Sequence, residues 1–486
     1  MRFLVRPASE ISIKSKPVRR RQMRMLRQNI RKVLIRLDPG IEVIGSFDRI
    51  DIQVPEARGL NRPVVDALQR VPGISLIQEV AIFPLVDLEE MSARALELFS
   101  SELTGKTFAV RARRQGEHSF TSSQVQREVG ARLLHGTEAR GVDLKIPDVE
   151  VRIEIRDGEY HIARRVHAGL GGYPLGSVEN VMSLMSGGFD SSVAAYLMYR
   201  RGVRSHFLFF NLGGTAHETG VRQVVHYLWS RYGASHSAKF ISVPFDAVVS
   251  EIMATVHHRH WGVVLKRQML RAAEQIAAAN GTSAIVTGEA VAQVSSQTLA
   301  NLNVIDQACQ TVVLRPLVAM DKGDIIKIAV EIGTEPYART MPEYCGVISK
   351  QPVTKARTYR IEADEARMNP QVLQQAIEAR SDTPVDRLTD SLETPEQVEL
   401  ISTPSMEDVL VDVRHPSEQE REPLAATNNR VISIPFYELG GRAGELQPDT
   451  RYLLFCDRGV MSRMQAAQLQ ASGHTNVQVY APAGRS

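Results

Sequence analysis

Apolar positions change period along the chain, and each change marks an element or a unit. Over VRRRQMRMLRQNIRKVLIR (residues 18–36), Met25, Leu26, Ile30, Val33 and Leu34 recur at helical spacing. One face of that helix packs, while Arg20, Arg21, Arg24, Arg27, Arg31 and Lys32 face outward. The segment up to about residue 60 reads as strand, basic helix, then strands over IEVIGSFDRIDIQV. VVDALQRVPGI has a helix-like pattern that ends before Pro72-Gly73, and the chain continues through SLIQEVAIFPL. TFAVRARR, from Thr107, alternates apolar and basic residues; it predicts one buried face and one presenting Arg111, Arg113 and Arg114. Residues 143–166 read as a hairpin turning at Asp157-Gly158. From about 176 to 335, short apolar runs (VMSLM, HFLFFNL, KFISVPF, SAIVTGE, TVVLRP) alternate with amphipathic helical stretches. That alternation predicts a parallel sheet with helices on both faces. Residues 351–403 are polar and read as a partly helical connector, and from 404 a small α/β unit begins.

The length of 486 residues suggests roughly three domains at about 150 residues each. Hydrophobic residues at 43% and charged residues at 23% exclude a mainly disordered or fibrous chain. No run of 18 apolar residues predicts a membrane span. The opening residues have no apolar h-region, so no signal peptide is expected and the chain reads as cytoplasmic. Three cysteines exclude a disulfide framework and four-cysteine zinc. The charge is uneven: residues 1–40 hold 12 basic and 2 acidic residues, whereas the other 446 hold 46 and 53. An arm this basic reads as a footprint for nucleic acid; anionic lipid or a solvated helix face are the alternatives.

The sharpest local signal is LMSGGFDSSVAAY, from Leu184. A buried strand ends, Ser186-Gly187-Gly188-Phe189-Asp190-Ser191 forms a tight loop, and a helix follows. Two glycines let the backbone approach a phosphate, and the helix start supplies free N–H groups. A carboxylate at Asp190 makes sense if Mg²⁺ sits between it and the phosphates, so its metal role is indirect. No GxxxxGK[ST] occurs. The six residues resemble the SGGxDS motif of the PP-loop ATP pyrophosphatases, which cleave ATP between its α and β phosphates and adenylate a carbonyl oxygen. That resemblance implies ATP contacts for Leu184, Met185, Ser186, Gly187, Gly188, Asp190, Ser191, Lys266, Gly288 and Gln297, and a phosphate or transition-state contact for Lys322. Otherwise Lys322 reads as a surface lysine. His257, His258 and His260 raise the question of a metal, but no Cys or carboxylate follows them at ligand spacing.

Cys456 lies in YLLFCDRGVMSR, where an apolar strand runs into a six-residue loop (Cys456 to Met461) and then an amphipathic helix. Loop N–H groups, the helix start and Arg458 favour a thiolate there. With the preceding VLVDVRHPSE, the unit resembles a rhodanese domain, whose cysteines carry sulfur as a persulfide. Cys345 lies in the loop MPEYCGVISK, and Cys309 reads as core.

Together SGGFDS, GEAVAQVSSQT, MPEYCGVISK and YLLFCDRGVMSR resemble the ThiI-type tRNA 4-thiouridine synthetases, long form with an appended rhodanese domain. The resemblance implies a multidomain α/β and α+β chain. Its parts are a ferredoxin-like domain (1–61), a THUMP RNA-binding domain (62–166), a PP-loop domain (167–350), a linker (351–403) and a rhodanese-like domain (404–486). It implies adenylation of a tRNA uridine with ATP and Mg²⁺, then replacement of O4 by sulfur from a Cys456 persulfide. Cys345 would resolve the persulfide as a Cys345–Cys456 disulfide. The implied partners are tRNA, a cysteine desulfurase that loads Cys456, and the sulfur-carrier protein of thiamine thiazole synthesis; the THUMP units could sit on a homodimer. On charge and on this resemblance, Arg20, Arg21, Arg24, Arg111, Arg113 and Arg114 hold RNA. Rival readings are an amidating PP-loop enzyme, a stand-alone sulfurtransferase and a non-catalytic RNA-binding protein.

Overall fold

The computed structural model describes residues 1–45, 48–55, 59–156, 158–212, 214–339, 341, 352–388, 398–414, 419–420, 422–424, 429–434, 439, 442–456, 460–471 and 473–482. They form two compact units, the first comprising residues 1–179, 197–204 and 231–236.

In the first unit, β1 (Arg2–Pro7) is followed by the short helix α1 (Ser9–Ser12) and the basic helix α2 (Lys16–Leu34). Met23, Leu26, Ile30 and Leu34 of α2 are buried, and the six outward cations expected from the periodicity are all exposed. Next come β2 (Glu42–Gly45), β3 (Ile50–Gln53), α3 (Asn61–Leu68) and the long β4 (Ile74–Pro84). Helix α4 (Leu88–Phe99), β5 (Thr107–Gln115) and α5 (Ser122–Gly136) follow, then β6 (Gly141–Val142), β7 (Val149–Arg156) and β8 (Glu159–Ala168). The expected hairpin is β7–β8, with Arg156 opposite Glu159; Asp157 lies outside the described residues.

These eight strands make one sheet in the order β2-β3-β1-β4-β8-β7-β5-β6. It carries two separate cores. One holds Phe3, Leu26, Ile52, Val64, Leu68, Ile74 and Ile77; the other holds Met91, Phe108, Val129, Val151 and Ile162. The boundary expected at 61/62 is therefore corrected. Residues 61–77 pack into the first core, and β4 is the strand that both cores share.

The second unit contains two sheets. The larger is built from β9 (Val178–Leu184), β10 (Val203–Asn211), β11 (Lys239–Pro244), β12 (Ala284–Val286) and β13 (Val312–Leu314). Between and after them run α6 (Phe189–Arg200), α7 (Gly214–Leu228), α8 (Asp246–Thr255), α9 (Trp261–Ala279), α10 (Leu299–Asp306), α11 (Lys322–Ile332) and α12 (Glu335–Arg339). With β14 (Ser381–Pro384) as its sixth strand, the order is β13-β12-β9-β10-β11-β14. The chain starts in the middle at β9, fills one side, then jumps back to lay β12 against the other edge of β9. That reversal opens a crevice beyond the carboxyl ends of β9 and β12, where ligands of such sheets bind.

Of the partly helical connector expected at 351–403, the described residues 352–388 carry two helices that pack on the larger sheet. Helices α13 (Thr358–Glu365) and α14 (Pro370–Glu378) bury Ile361, Ala376 and Ile377 in the core of the larger sheet. Strand β14 (Ser381–Pro384) then pairs antiparallel with β11. The fully buried Arg267 and the half-buried Arg271 of α9 both pair with Glu365, at 2.9 and 2.8 Å. The polar composition misled here because one of its carboxylates is spent on a buried guanidinium.

The smaller sheet has β15 (Leu400–Ile401), β16 (Val409–Asp412), β17 (Arg430–Ser433), β18 (Tyr452–Phe455) and β19 (Val477–Tyr480), with helix α15 (Val460–Ala471) after β18. All pairings are parallel, in the order β15-β19-β18-β16-β17. Among the described residues no helix is long and apolar enough to cross a membrane.

Candidate functional site

The loop after β9 is built as the glycines require. Gly187 has φ +83°, the left-handed region, and a Cβ there would lie 2.7 Å from Met341 Cε. Ser191 Oγ lies 3.3 Å from both the N–H and the Oγ of Ser186 and donates to Gly188 O at 3.2 Å, closing the loop on itself. From α7, the buried His217 donates through Nε2 to Ser186 O at 3.1 Å. Burial holds this imidazole below its usual pKa, and a neutral ring can still make that bond.

Asp190, in the first turn of α6, is gripped from two sides. Lys322 Nζ lies 2.7 Å from Oδ1, and Gln293 Nε2 donates to Oδ2 at 2.8 Å. Lys322 opens α11, whose N-cap Asp321 accepts from Asp324 N–H. The loop after β12 closes the crevice: a Cβ on Gly288 would stand 2.6 Å from the Asp190 carbonyl carbon, so only glycine fits. Gln297 is buried, and its Oε1 has no hydrogen-bond partner among the described residues. An acceptor left open in this way suits a ligand donor such as an exocyclic amine. Leu184 packs against the core, and Met185 is buried, its N–H donating to Leu208 O at 2.8 Å. The site residues expected around the nucleotide (Leu184 to Gly188, Asp190, Ser191, Lys266, Gly288, Gln297, Lys322) thus sit on the loops at the β9/β12 crevice and the elements beside it.

Several neighbours escaped the sequence reading although they lie inside or beside the quoted motifs. Gln293 is one. Glu289 is another: it accepts from Lys266 Nζ at 2.6 Å, from Arg315 Nε at 2.9 Å and from Thr287 Oγ1 at 3.2 Å. Arg315 also pairs with Asp306. Burial pushes the Glu289 carboxyl up, but the Lys266 and Arg315 charges outweigh that and hold it below the usual carboxylate range. Its contribution to stability is therefore present at neutral pH and lost as pH falls through that lowered pKa. Glu289→Ala, which strands Lys266 and leaves Arg315 with Asp306 alone, should cost about 3–5 kcal/mol in denaturant unfolding at pH 7 and weaken ATP binding. Unchanged stability and affinity would show that Lys266 needs no anchor.

In the smaller sheet Cys456 follows β18 directly, beside β16, again at a reversal of strand order. The thiol is 8% exposed, and Sγ accepts from Ser462 N–H at 3.3 Å and lies 3.4 Å from Ser462 Oγ. Ser462 is in the first turn of α15, so the expected helix N–H donor is present. The helix begins at Val460, not after Met461 as the loop reading had it. Nearby, the buried Arg414 pairs with Asp412 at 2.7 Å, its guanidinium 5.0 Å from the Phe455 ring. Arg458 and Cys345 lie outside the described residues. Met341, four positions before Cys345, is the residue that packs on Gly187. Cys309 is half-buried against the core; burial and then Glu274 raise its thiol pKa, as suits an inert residue.

The arginines of the first unit divide. Arg20, Arg21 and Arg24 are exposed on α2. On β5, Arg113 is exposed, but Arg111 donates to Leu144 O at 2.6 Å and pairs with Glu150. Arg114, at the opposite parity, is half-buried and donates to His118 O. The single basic face expected for β5 is corrected: strand alternation puts Arg114 on the other side.

A glycine-lined anion crevice at the switch point of a parallel sheet defines a nucleotide-binding enzyme domain of the PP-loop type, here following an eight-stranded mixed sheet. Family models match over the same ground: the ThiI ferredoxin-like domain at residues 2–77, the THUMP domain at 86–163 and the "Thiamine biosynthesis protein (ThiI)" family at 176–369. The tRNA sulfurtransferase of Marinobacter nauticus is 64% identical over 99% of this chain and 100% of its own length. That of Pseudomonas aeruginosa is 50% identical over the same shares. A solved 4-thiouridine synthetase–RNA complex with bound ATP superposes with a TM-score of 0.71 at 27% identity, covering 79% of this chain and 99% of that one. The chain belongs to the tRNA sulfurtransferase family.

Proposed function

We propose that the protein is an ATP-dependent tRNA sulfurtransferase that activates O4 of uridine 8 as an adenylate and replaces it by sulfur, giving 4-thiouridine. The observation that carries this reading is the crevice where Gly187, Gly288 and the start of α6 surround Asp190, with Lys322 and Gln293 on its carboxylate. ATP fits these residues: the α6 N–H groups and Gly187 suit its phosphates, and the open acceptor of Gln297 suits its amine. Mg²⁺ would be held chiefly by the phosphates, with Asp190 as the protein's carboxylate. Lys322 is free to exchange Asp190 for a phosphoryl oxygen and stabilise charge on the leaving pyrophosphate.

Cys456 carries the sulfur as a persulfide in the rhodanese-like domain of residues 404–486. Its donor is a cysteine desulfurase. Cys345 attacks the persulfide, sulfide equivalent passes to the activated uridine, AMP leaves, and a Cys345–Cys456 disulfide remains for an external reductant. The same persulfide serves the sulfur carrier of thiazole synthesis. The protein acts in the cytoplasm. Its THUMP domain, expected at 62–166, begins in this reading at the end of β4, which the packing of residues 61–77 into the first core supports.

A single-turnover assay with ³⁵S-loaded protein, ATP and bulk tRNA tests the whole reading. Labelled 4-thiouridine and equimolar AMP are expected; labelled protein with neither product would sink it. For the RNA arm, reversing Arg20, Arg21 and Arg24 to Glu removes three exposed cations. The slope of log K against log salt should fall by about 2–3, measured by filter binding of tRNA. An unchanged slope would show that α2 does not touch RNA.

A further inference from the structure

Beside the nucleotide crevice lies a basic, aromatic surface that the chemistry above does not use. A 3₁₀ turn, His258–His260, precedes α9, and the strap that leads into α13 lies against it, Val353 N–H donating to Arg259 O at 3.0 Å. A cavity of about 440 Å³ opens there, lined among others by His257, His260, Tyr359, Arg360, Asp364 and Arg367. Asp364 is the one carboxylate in that lining, and it is spent: buried, it lies 2.6 Å from His260 Nδ1 and also pairs with Arg367. Tyr359 is 59% exposed, and Arg360 Nε donates to its Oη at 3.1 Å. Lys355, Arg357 and Arg259 add exposed positive charge. Between residues 355 and 367 Glu362 is the exposed acid; Glu365 is held by Arg267 and Arg271.

The surface stands on the same edge of the sheet as the PP-loop. Lys266, in the second turn of α9, reaches Glu289 just past the carboxyl end of β12. His260 is six residues earlier, about 9 Å along the helix axis. The strap is fastened to the Gln297 loop, with Thr298 Oγ1 donating to Thr354 O at 2.7 Å and Asn301 Nδ2 to Val353 O at 2.8 Å.

We propose that this surface is an RNA-binding site, gripping substrate phosphates next to the adenylation crevice while an unstacked base packs on Tyr359. The proposal rests on the tRNA-thiolation reading and adds a contact made by the catalytic domain itself. The chemistry is that of single-strand recognition: clustered cations follow the backbone, and an exposed aromatic ring takes a base of any sequence. A reason for it exists in the reaction. A uridine that must leave its stack exposes its neighbours, and an adjacent ring and phosphate grip hold the opened strand.

The test uses the full chain with three variants: Lys355→Glu/Arg360→Glu, Tyr359→Ala and Tyr359→Phe. Thermal melting checks folding, and filter binding measures tRNA affinity across salt. Dialysis with ATP alone measures the nucleotide. The charge reversal should reduce the salt slope by about 1–2 and affinity about tenfold at low salt. Tyr359→Ala should weaken tRNA about tenfold, Tyr359→Phe should restore it, and ATP affinity should not move. If the charge reversal does not fold, the solvent-facing Tyr359 pair decides alone. Unchanged tRNA binding in folded variants that still thiolate overturns the site but leaves the main reading standing. Loss of ATP binding in place of tRNA binding would reassign it as a nucleotide subsite. Slower sulfur loading from a desulfurase, with normal tRNA binding, would reassign it to an acidic protein. A parent protein that neither binds nor thiolates tRNA is the separate failure of the main reading.

Discussion

Asp190→Ala is expected to lower tRNA-dependent AMP formation on the order of 10²–10³-fold, with the protein still folded. The side chain is the one carboxylate in the sequence from Ser186 to Ser191, and its partners Lys322 and Gln293 reach it across the crevice. Removing it takes away the charge that would steady Mg²⁺ on the phosphates and leaves Lys322 without its resting partner. Lys322 is 41% exposed, so water can solvate it and the cost in stability stays small. Asp190→Asn keeps the shape and one acceptor. It should fail almost as badly if charge matters. Pyrophosphate exchange in the presence of tRNA reads the step directly, and AMP formation at the parental rate in either variant would remove Asp190 from the chemistry.

Cys456→Ser separates the two halves of the reaction. Near-ultraviolet absorbance of product tRNA should fall to background, because a hydroxyl carries no sulfane sulfur. Adenylation, read as tRNA-dependent ATP–pyrophosphate exchange, should continue at the parental level, since that step precedes sulfur transfer and β18 and Cys456 belong to a sheet of their own. The serine retains the acceptor for Ser462 N–H, so the turn into α15 is preserved. Loss of both activities would mean that Cys456 shapes the protein and does not carry sulfur. Activity at Cys345→Ser distinguishes a resolving thiol from a bystander: with Cys456 loaded as the persulfide, neither thiolated tRNA nor a disulfide is expected if Cys345 is the resolving partner, and parental turnover would make it a bystander.

How much of this was legible from sequence varies with the range of the interaction. The basic face of α2 was read correctly because helical periodicity is local, and all six outward cations are exposed. The PP-loop was read from six consecutive residues, since a tight phosphate loop needs its glycines, hydroxyls and helix start in unbroken order. The β5 face was misread because three arginines in four positions cannot share one side of a strand; Arg114 turned inward to His118 O. The segment 352–388 looked like a linker because its few apolar residues, Ile361, Ala376 and Ile377, gain meaning only against α9 and the sheet.

The sequence alone determined the order of units, the anion loop, the thiol at a strand end and the basic arm, because each is written in neighbouring residues or a single period. The tertiary structure decided which distant residues meet. Glu289 with Lys266 and Arg315, Gln293 and Lys322 with Asp190, and Gly288 against the α6 turn are 23 to 132 positions apart. Strand order brings them together: β12 returns to lie beside β9, and no local pattern records where a strand will insert.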